Sequence, residues 1–309
     1  MAEVTDPVFR RIIAKYGKPA VLWTEFVSAD GLLSAGQKRI LRNLEFTEPE
    51  RPIVAQLFTA RPEKMLAAAK IISELGFDGL DINMGCPDRA VERQGAGAAL
   101  IKNPKLAREI IAAAKQTVAG KLPVSVKTRI GYVRDELDTW LPELLAEGPA
   151  AITIHARTRA EMSKAPARWE RVARAVAIRD GMESKTLIIG NGDVVNLEEA
   201  AARAAETGAD GIMLGRAIIG NPFLFSNLRF DLKNPPRSNL KKVKIMIEHA
   251  KLFEAVLGDI KNFAIMRKHF KHYVSGFIGA VELRQELMDS PNATTVARAV
   301  DKYLATMIQ

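Results

Sequence analysis

The chain has 309 residues, 48% hydrophobic and 26% charged, enough apolar material for one large domain and a smaller one, which excludes wholesale disorder. No run of about 18 apolar residues occurs, so no membrane span is predicted, and the first ten residues carry Glu3 and Asp6 without the apolar stretch of a secretory leader. The net charge of +9 is uneven: residues 226–309 hold 14 Lys/Arg against 8 Asp/Glu, and the first 225 hold 31 against 28. A basic C-terminal third points to a polyanionic partner; the alternative is a solvated basic surface. One cysteine cannot form an internal disulfide, which fits a reducing cytoplasm.

Residues 1–6 read as a loop that follows a strand. Strands are then predicted at 21–24, 53–57, 79–82, 124–127, 151–154, 187–189 and 211–214. Helical patterns separate them, among them 62–75, 105–118 and 197–207, the last opened by Asn196 as N-cap and closed before Gly208. Repeated strand–helix units imply a parallel sheet, buried on both faces. Seven over about 200 residues favour a (β/α)8 TIM barrel over an open sheet. The count is one strand short, so the first strand is expected to be missing. The natural gene is then expected to start roughly ten residues upstream, with an apolar strand that closes the barrel. Asn234-Pro235-Pro236-Arg237-Ser238-Asn239 predicts a linker. Helices at 240–257, 260–273, 281–288 and 294–307 follow. The predicted organisation is a catalytic barrel over 1–233 and a small all-helical domain over 240–309.

In such barrels chemistry sits at the C-terminal ends of the strands. Those positions hold Gln56, Asn83 with Cys86, Lys127 with Arg129, His155 with Arg157, Asn191-Gly192-Asp193, and Gly215-Arg216. Any one of them could be a capping or solvated loop residue; their convergence argues for a site. Gly85 and Pro87 constrain the backbone around Cys86 and put its thiol on a loop above the barrel. A thiol is mostly protonated at neutral pH and can donate a proton. Gly95-Ala96-Gly97-Ala98-Ala99 allows close backbone approach to a ligand or a neighbouring loop. The glycine turns after the last two strands suit a phosphate, with Arg216 adding a charge-assisted contact.

Asp81-Ile82-Asn83-Met84-Gly85-Cys86-Pro87, Gln94–Leu100, Val126-Lys127-Thr128-Arg129, Ile154–Arg159, Gly190–Asp193 and Gly215-Arg216 together resemble the signature of the tRNA-dihydrouridine synthase family, in its bacterial form. Ala2–Asp6 matches the opening loop of that family, and Met266–His269 and Gly279–Arg284 its helical domain. The resemblance implies bound FMN, NADPH as reductant and tRNA as partner. It places Met1, Ala2, Gln56, Lys127, His155, Asn191, Gly192, Asp193, Gly215 and Arg216 on the flavin. It places Asn83, Arg129 and Arg157 on the substrate and makes Cys86 the acid that protonates C5 of uracil. Lys241, Lys242, Lys244, Arg267 and Lys268 are expected to grip the tRNA. No metal is expected, and the chain is expected to act as a cytoplasmic monomer. Two other readings compete: a dihydroorotate dehydrogenase-like barrel acting on a free pyrimidine, and a catalytically silent RNA-binding protein on the same fold.

Overall fold

The computed structural model describes residues 1, 3–118, 120–226 and 235–306. The chain forms two compact units, one of Trp23–Glu45 and Arg51–Arg216, the other of Met1–Leu22, Phe46–Glu50 and Ala217–Gln309. In chain order the helices are α1 (Pro7–Tyr16), α2 (Ala29–Leu32), α3 (Gln37–Leu44), α4 (Pro62–Glu74), α5 (Arg89–Glu92), α6 (Pro104–Val118), α7 (Leu137–Leu145), α8 (Trp169–Gly181), α9 (Leu197–Thr207), α10 (Pro235–Leu257), α11 (Met266–Tyr273), α12 (Ala280–Met288) and α13 (Ala293–Thr306). The strands are β1 (Leu22–Ser28), β2 (Ile53–Phe58), β3 (Gly79–Met84), β4 (Val124–Arg129), β5 (Ala151–His155), β6 (Leu187–Asn191) and β7 (Gly211–Met213).

The seven strands form one parallel sheet in the order β1 to β7, curled as a half-barrel of the TIM type. The sequence expectation of seven strands in this fold class is met. Both faces of β3 are buried, as expected, but only one of them is apolar. β3 alternates: Leu80, Ile82 and Met84 lie on one face, Asp81 and Asn83 on the other. The parallel register carries this parity across the sheet, setting Asp81 beside Gln56 and Ser125, Asn83 beside Lys127, and Arg129 beside His155 beside Asn191. Leu80, Ile82, Val126, Ile152, Ile154 and Ile188 on the other face are fully buried. Helices pack on that apolar side, where Trp140 of α7 also donates from Nε1 to Thr128 Oγ1 at 3.0 Å. Polar residues therefore face the inside of the half-barrel, and the strand residues that bear chemistry are co-facial.

The other unit is helical. Val8 and Ile12 of α1 join Met246, Phe253, Phe270 and Leu283 in one buried cluster, so the N-terminal segment packs with the C-terminal helices. The sequence assigned it to the barrel; its amphipathic face decides otherwise. Asp6 caps α1 by accepting from Phe9 N–H at 2.9 Å, with Pro7 supplying the first-turn position that lacks a donor. The expected linker is also corrected: Pro235–Asn239 belong to α10, because proline is tolerated in a first helical turn, while Asn234 lies outside the described residues. The helix expected at 260–273 starts only at Met266, after a 3-10 turn capped by Asn262.

His249 of α10 and His269 of α11 are fully buried in this unit, with ring centroids 4.6 Å apart. Among the described residues, His249 Nε2 and both ring nitrogens of His269 have no hydrogen-bond partner. Burial pushes His249 well below its ordinary pKa and His269 down to about 3. Both rings are thus neutral when folded, whereas an unfolded histidine takes up a proton near pH 6.5. A folded pKa below the unfolded one means stability is full above pH 6.5 and is lost as pH falls toward about 3. Between those limits each such histidine costs up to ~1.4 kcal/mol per pH unit. The melting temperature of the full chain should drop over that range, and His269→Leu should flatten the drop. Identical pH dependence in that variant would show that the buried ring is not its source.

Candidate active site

β3 ends at Met84 and the chain turns through Gly85, Cys86 and Pro87. Asn83 holds this turn from beneath: its Oδ1 accepts from the N–H groups of Gly85 at 3.1 Å and Cys86 at 2.9 Å. Arg129 holds it from the side, donating from Nε to the Gly85 carbonyl at 2.8 Å and from Nη1 to the carbonyls of Thr158 and Met162. The Ala98 N–H donates to the Cys86 carbonyl at 2.9 Å. Gly97 makes that approach possible: its φ is +61°, and a Cβ there would lie 2.7 Å from the same carbonyl oxygen. Of the two uses foreseen for the glycine-rich stretch, Gly97 serves approach to a neighbouring loop. The Cys86 thiol is half-buried beside Phe58, Val91 and Ala96. Burial raises its pKa, so it is a thiol at neutral pH and can donate a proton.

Below this loop runs a chain of buried polar groups. Ser125 Oγ donates to Asp81 Oδ1 at 2.5 Å, Gln56 Nε2 donates to Asp81 Oδ2 at 2.7 Å, and Asn83 Nδ2 donates to Gln56 Oε1 at 3.0 Å. Burial lifts the Asp81 carboxyl to about 6, against its hydrogen bonds and the positive charge of Lys127. Burial and the neighbouring Arg129 lower Lys127 to about 8. Its ammonium donates to Asn191 Oδ1 at 3.2 Å, and among the described residues this is its one hydrogen-bond partner. An ammonium has three donors, so two remain for an acceptor-rich ligand. Burial, then the charges of Lys127, Arg129, Arg157 and Arg216, hold His155 well below its ordinary pKa. The ring is neutral. Arg157 Nη1 lies 3.1 Å from His155 Nε2 and can only donate, so the ring proton sits on Nδ1, a further donor on this face.

The last two strand ends are tied by Asn191 Nδ2, which donates to the Met213 carbonyl at 2.8 Å. Gly192 has φ +141°, and a Cβ there would lie 2.7 Å from the Ala167 Cβ. Asp193, expected on a phosphate, is already committed. Its Oδ2 accepts from Arg157 and from Ala167 N–H at 3.0 Å, and its Oδ1 accepts from Arg216 at 3.1 Å. A carboxylate repels a second anion, so it orients Arg216, whose side chain is 64% exposed. Arg157, expected on the substrate, is buried and spends its nitrogens on the Ala165 carbonyl, His155 and Asp193. It is a brace between two strand ends. Met1 donates from its amino group to Thr5 Oγ1 at 2.8 Å within the helical unit, and Ala2 lies outside the described residues. Of the expected RNA-facing cations, Lys241, Lys244, Arg267 and Lys268 are exposed and Lys242 is half-buried. Lys268 is paired with Glu3, which offsets its charge.

A family model described as dihydrouridine synthase matches residues 1–308. The chain belongs to the dihydrouridine synthase family. As a member it is a flavin-dependent oxidoreductase. It is 39% identical over 307 residues to the probable tRNA-dihydrouridine synthase 2 of Bacillus subtilis (strain 168), covering 98% of this chain and 92% of the relative. It is 37% identical over 311 residues to the probable tRNA-dihydrouridine synthase of Staphylococcus aureus (strain MRSA252), covering 99% and 92%. Two solved structures share the fold: histamine dehydrogenase from Rhizobium sp. 4-9 (TM-score 0.53, 14% identity, 82% of this chain and 47% of that one) and morphinone reductase (TM-score 0.51, 15% identity, 78% and 82%).

Within this dihydrouridine synthase, sequence reasoning passed over Asp81 and Ser125, although the period-two alternation of β3 and β4 marks both as co-facial with Asn83 and Lys127. It also passed over Glu92, which grips Arg159 through both carboxylate oxygens and so ties the cysteine loop to the segment after β5. Nothing in the sequence pairs residues 67 apart. Gly97→Ala should destabilise the fold by about 1–3 kcal/mol, since it adds both left-handed strain and a contact on the Cys86 carbonyl. Urea unfolding measures this, and a loss below about 0.3 kcal/mol would show that the loop accommodates the methyl group freely.

Proposed function

We propose that this chain reduces the 5,6 double bond of uridine in transfer RNA, with FMN as cofactor, NADPH as reductant and Cys86 as acid. The observation that carries the reading is a protonated, half-buried thiol fixed above a polar face rich in unmatched donors, in a chain of the dihydrouridine synthase family. The names of the relatives at 37–39% identity support tRNA as the substrate.

The donor set suits a flavin. Lys127 and His155 can give N–H groups to the acceptor edge of the ring, and a cation there favours negative charge on that edge. Gln56 would meet the same ring. Asn191, Gly192, Gly215 and Arg216 would hold the phosphate end, Arg216 through the guanidinium that Asp193 orients. Bound FMN, reduced by NADPH, would supply a hydride to C6 of the uracil. That addition leaves an enolate, and the Cys86 thiol would deliver the proton to C5. Asn83 keeps one Nδ2–H, and Arg129 keeps Nη2, for the uracil carbonyls. The substrate base must leave its stack to reach them, which suits a basic unit that holds the RNA backbone.

Cys86→Ala should retain flavin and NADPH oxidation but lose about 10²–10⁴-fold in uridine reduction. Turnover within about twofold of the unaltered protein would remove Cys86 from the role of acid. Lys241→Glu combined with Lys244→Glu should weaken tRNA binding and reduce its steepness with salt. Unchanged affinity at low salt would assign these exposed lysines to solvation alone.

A further inference from the structure

Hydrogen-bond polarity, followed from strand to strand, leads to one residue that the reaction does not touch. An ionised carboxylate only accepts hydrogen bonds. Asp81 accepts from Ser125 Oγ at 2.5 Å and from Gln56 Nε2 at 2.7 Å. Gln56 must therefore turn its NH2 group toward Asp81 and its carbonyl toward Asn83. Asn83 must then donate its NH2 to Gln56, at 3.0 Å, and turn its own carbonyl upward. That carbonyl accepts from the N–H groups of Gly85 and Cys86, at 3.1 and 2.9 Å. Each amide has two orientations of nearly equal shape, and the buried acceptor at the base of the chain selects one of them. Reversed, the Asn83 NH2 would oppose the two loop N–H groups, leaving buried donors unmatched.

We propose that Asp81 is a positioning residue: by accepting only, it sets the orientation of the Gln56 and Asn83 amides and thereby holds the loop that carries Cys86. Its importance for catalysis rests on the function proposed above; the polarity relay itself does not. The pKa near 6 keeps Asp81 ionised at neutral pH, which supports the assignment. The other ionisable groups that face this network are Lys127 and Arg129 of β4 and the Cys86 thiol. All three remain in every variant below.

The chain has a single cysteine, so thiol modification of the full-length protein reports on Cys86 alone. The probe is methyl methanethiosulfonate, with rates corrected for thiolate fraction between about pH 5.5 and 8.5. Asp81→Asn should stay near the unaltered rate, because the new amide can donate to Ser125 Oγ while its carbonyl still accepts from Gln56. Asn83→Asp places two carboxyl groups at the two ends of Gln56. One must hold a proton for the chain to close, so the loop should be held at low pH and released at high pH. Its modification at high pH should be about tenfold faster than in the unaltered protein, because the upper carboxylate then faces the Gln56 carbonyl with no donor between them and is pushed from its place beneath the loop. The double variant Asp81→Asn/Asn83→Asp reverses both links and satisfies every group. The amide introduced on the lower side of Gln56 donates to it, Gln56 donates to the carboxylate introduced on its upper side, and that carboxylate accepts from the loop. The double variant should return the rate to within about twofold of the unaltered protein at all pH values. A second buried substitution that restores the first is not what a merely structural site would give. If Asn83→Asp does not fold, folding of the double variant is itself the rescue. The proposal is overturned if Asn83→Asp reacts no faster at high pH, if the double variant reacts as fast as the single, or if neither folds. None of these readouts needs flavin or RNA, so they stand apart from any failure of Cys86→Ala to lose uridine reduction.

Discussion

A carboxylate and an ammonium share the polar face of a parallel sheet, out of water, and the rest of the site follows from that constraint. Asp81 on β3 and Lys127 on β4 would each be costly to bury alone. Their mutual attraction eases the cost, raising Lys127 and lowering Asp81 against the larger effect of desolvation. The remaining valences must still be matched. Asp81 is matched by Ser125 and Gln56, which sets the cysteine loop through Asn83. Lys127 is matched only in part, by Asn191, and an ammonium with free donors on a half-buried face is a standing site for an acceptor-rich ligand.

The same economy governs the far side of the face. Asp193 gathers Arg157, Arg216 and the Ala167 N–H, so one carboxylate offsets two guanidinium groups. Burial keeps the His155 ring neutral, and Arg157 in turn sets its tautomer, with the proton on Nδ1. Residues that look like ligands by position thus divide into those that offer atoms outward and those that aim them. Lys127, His155 and Arg216 belong to the first group; Asp81, Arg157 and Asp193 to the second.

The strands and their ends were legible because apolar runs broken by glycine and alanine-rich helices have few other arrangements. Gln56, Asn83, Lys127, His155 and Asn191 fall where those runs end. The division of labour was not legible, since it depends on which polar group is already satisfied. Arg157 and Asp193 read as binding residues until their geometry shows them paired. Asp81 read as part of a strand because burial on both faces was expected without asking which face is polar, a parity that the alternation Leu80-Asp81-Ile82-Asn83-Met84 marks. Pro235 and Pro236 read as a break because their cost inside a helix was weighed and their fitness for its first turn was not. The burial of α1 among the C-terminal helices rests on contacts between Val8, Ile12 and residues more than 200 positions away, which no local pattern announces.

Purified full-length protein supplied with FMN and NADPH provides the most direct measurement, with nucleoside mass spectrometry of unmodified transfer RNA as the readout. The account predicts that defined uridines gain two hydrogen atoms while orotate and dihydroorotate are left unchanged. Turnover of the free pyrimidine acids with no dihydrouridine formed in the RNA would contradict it.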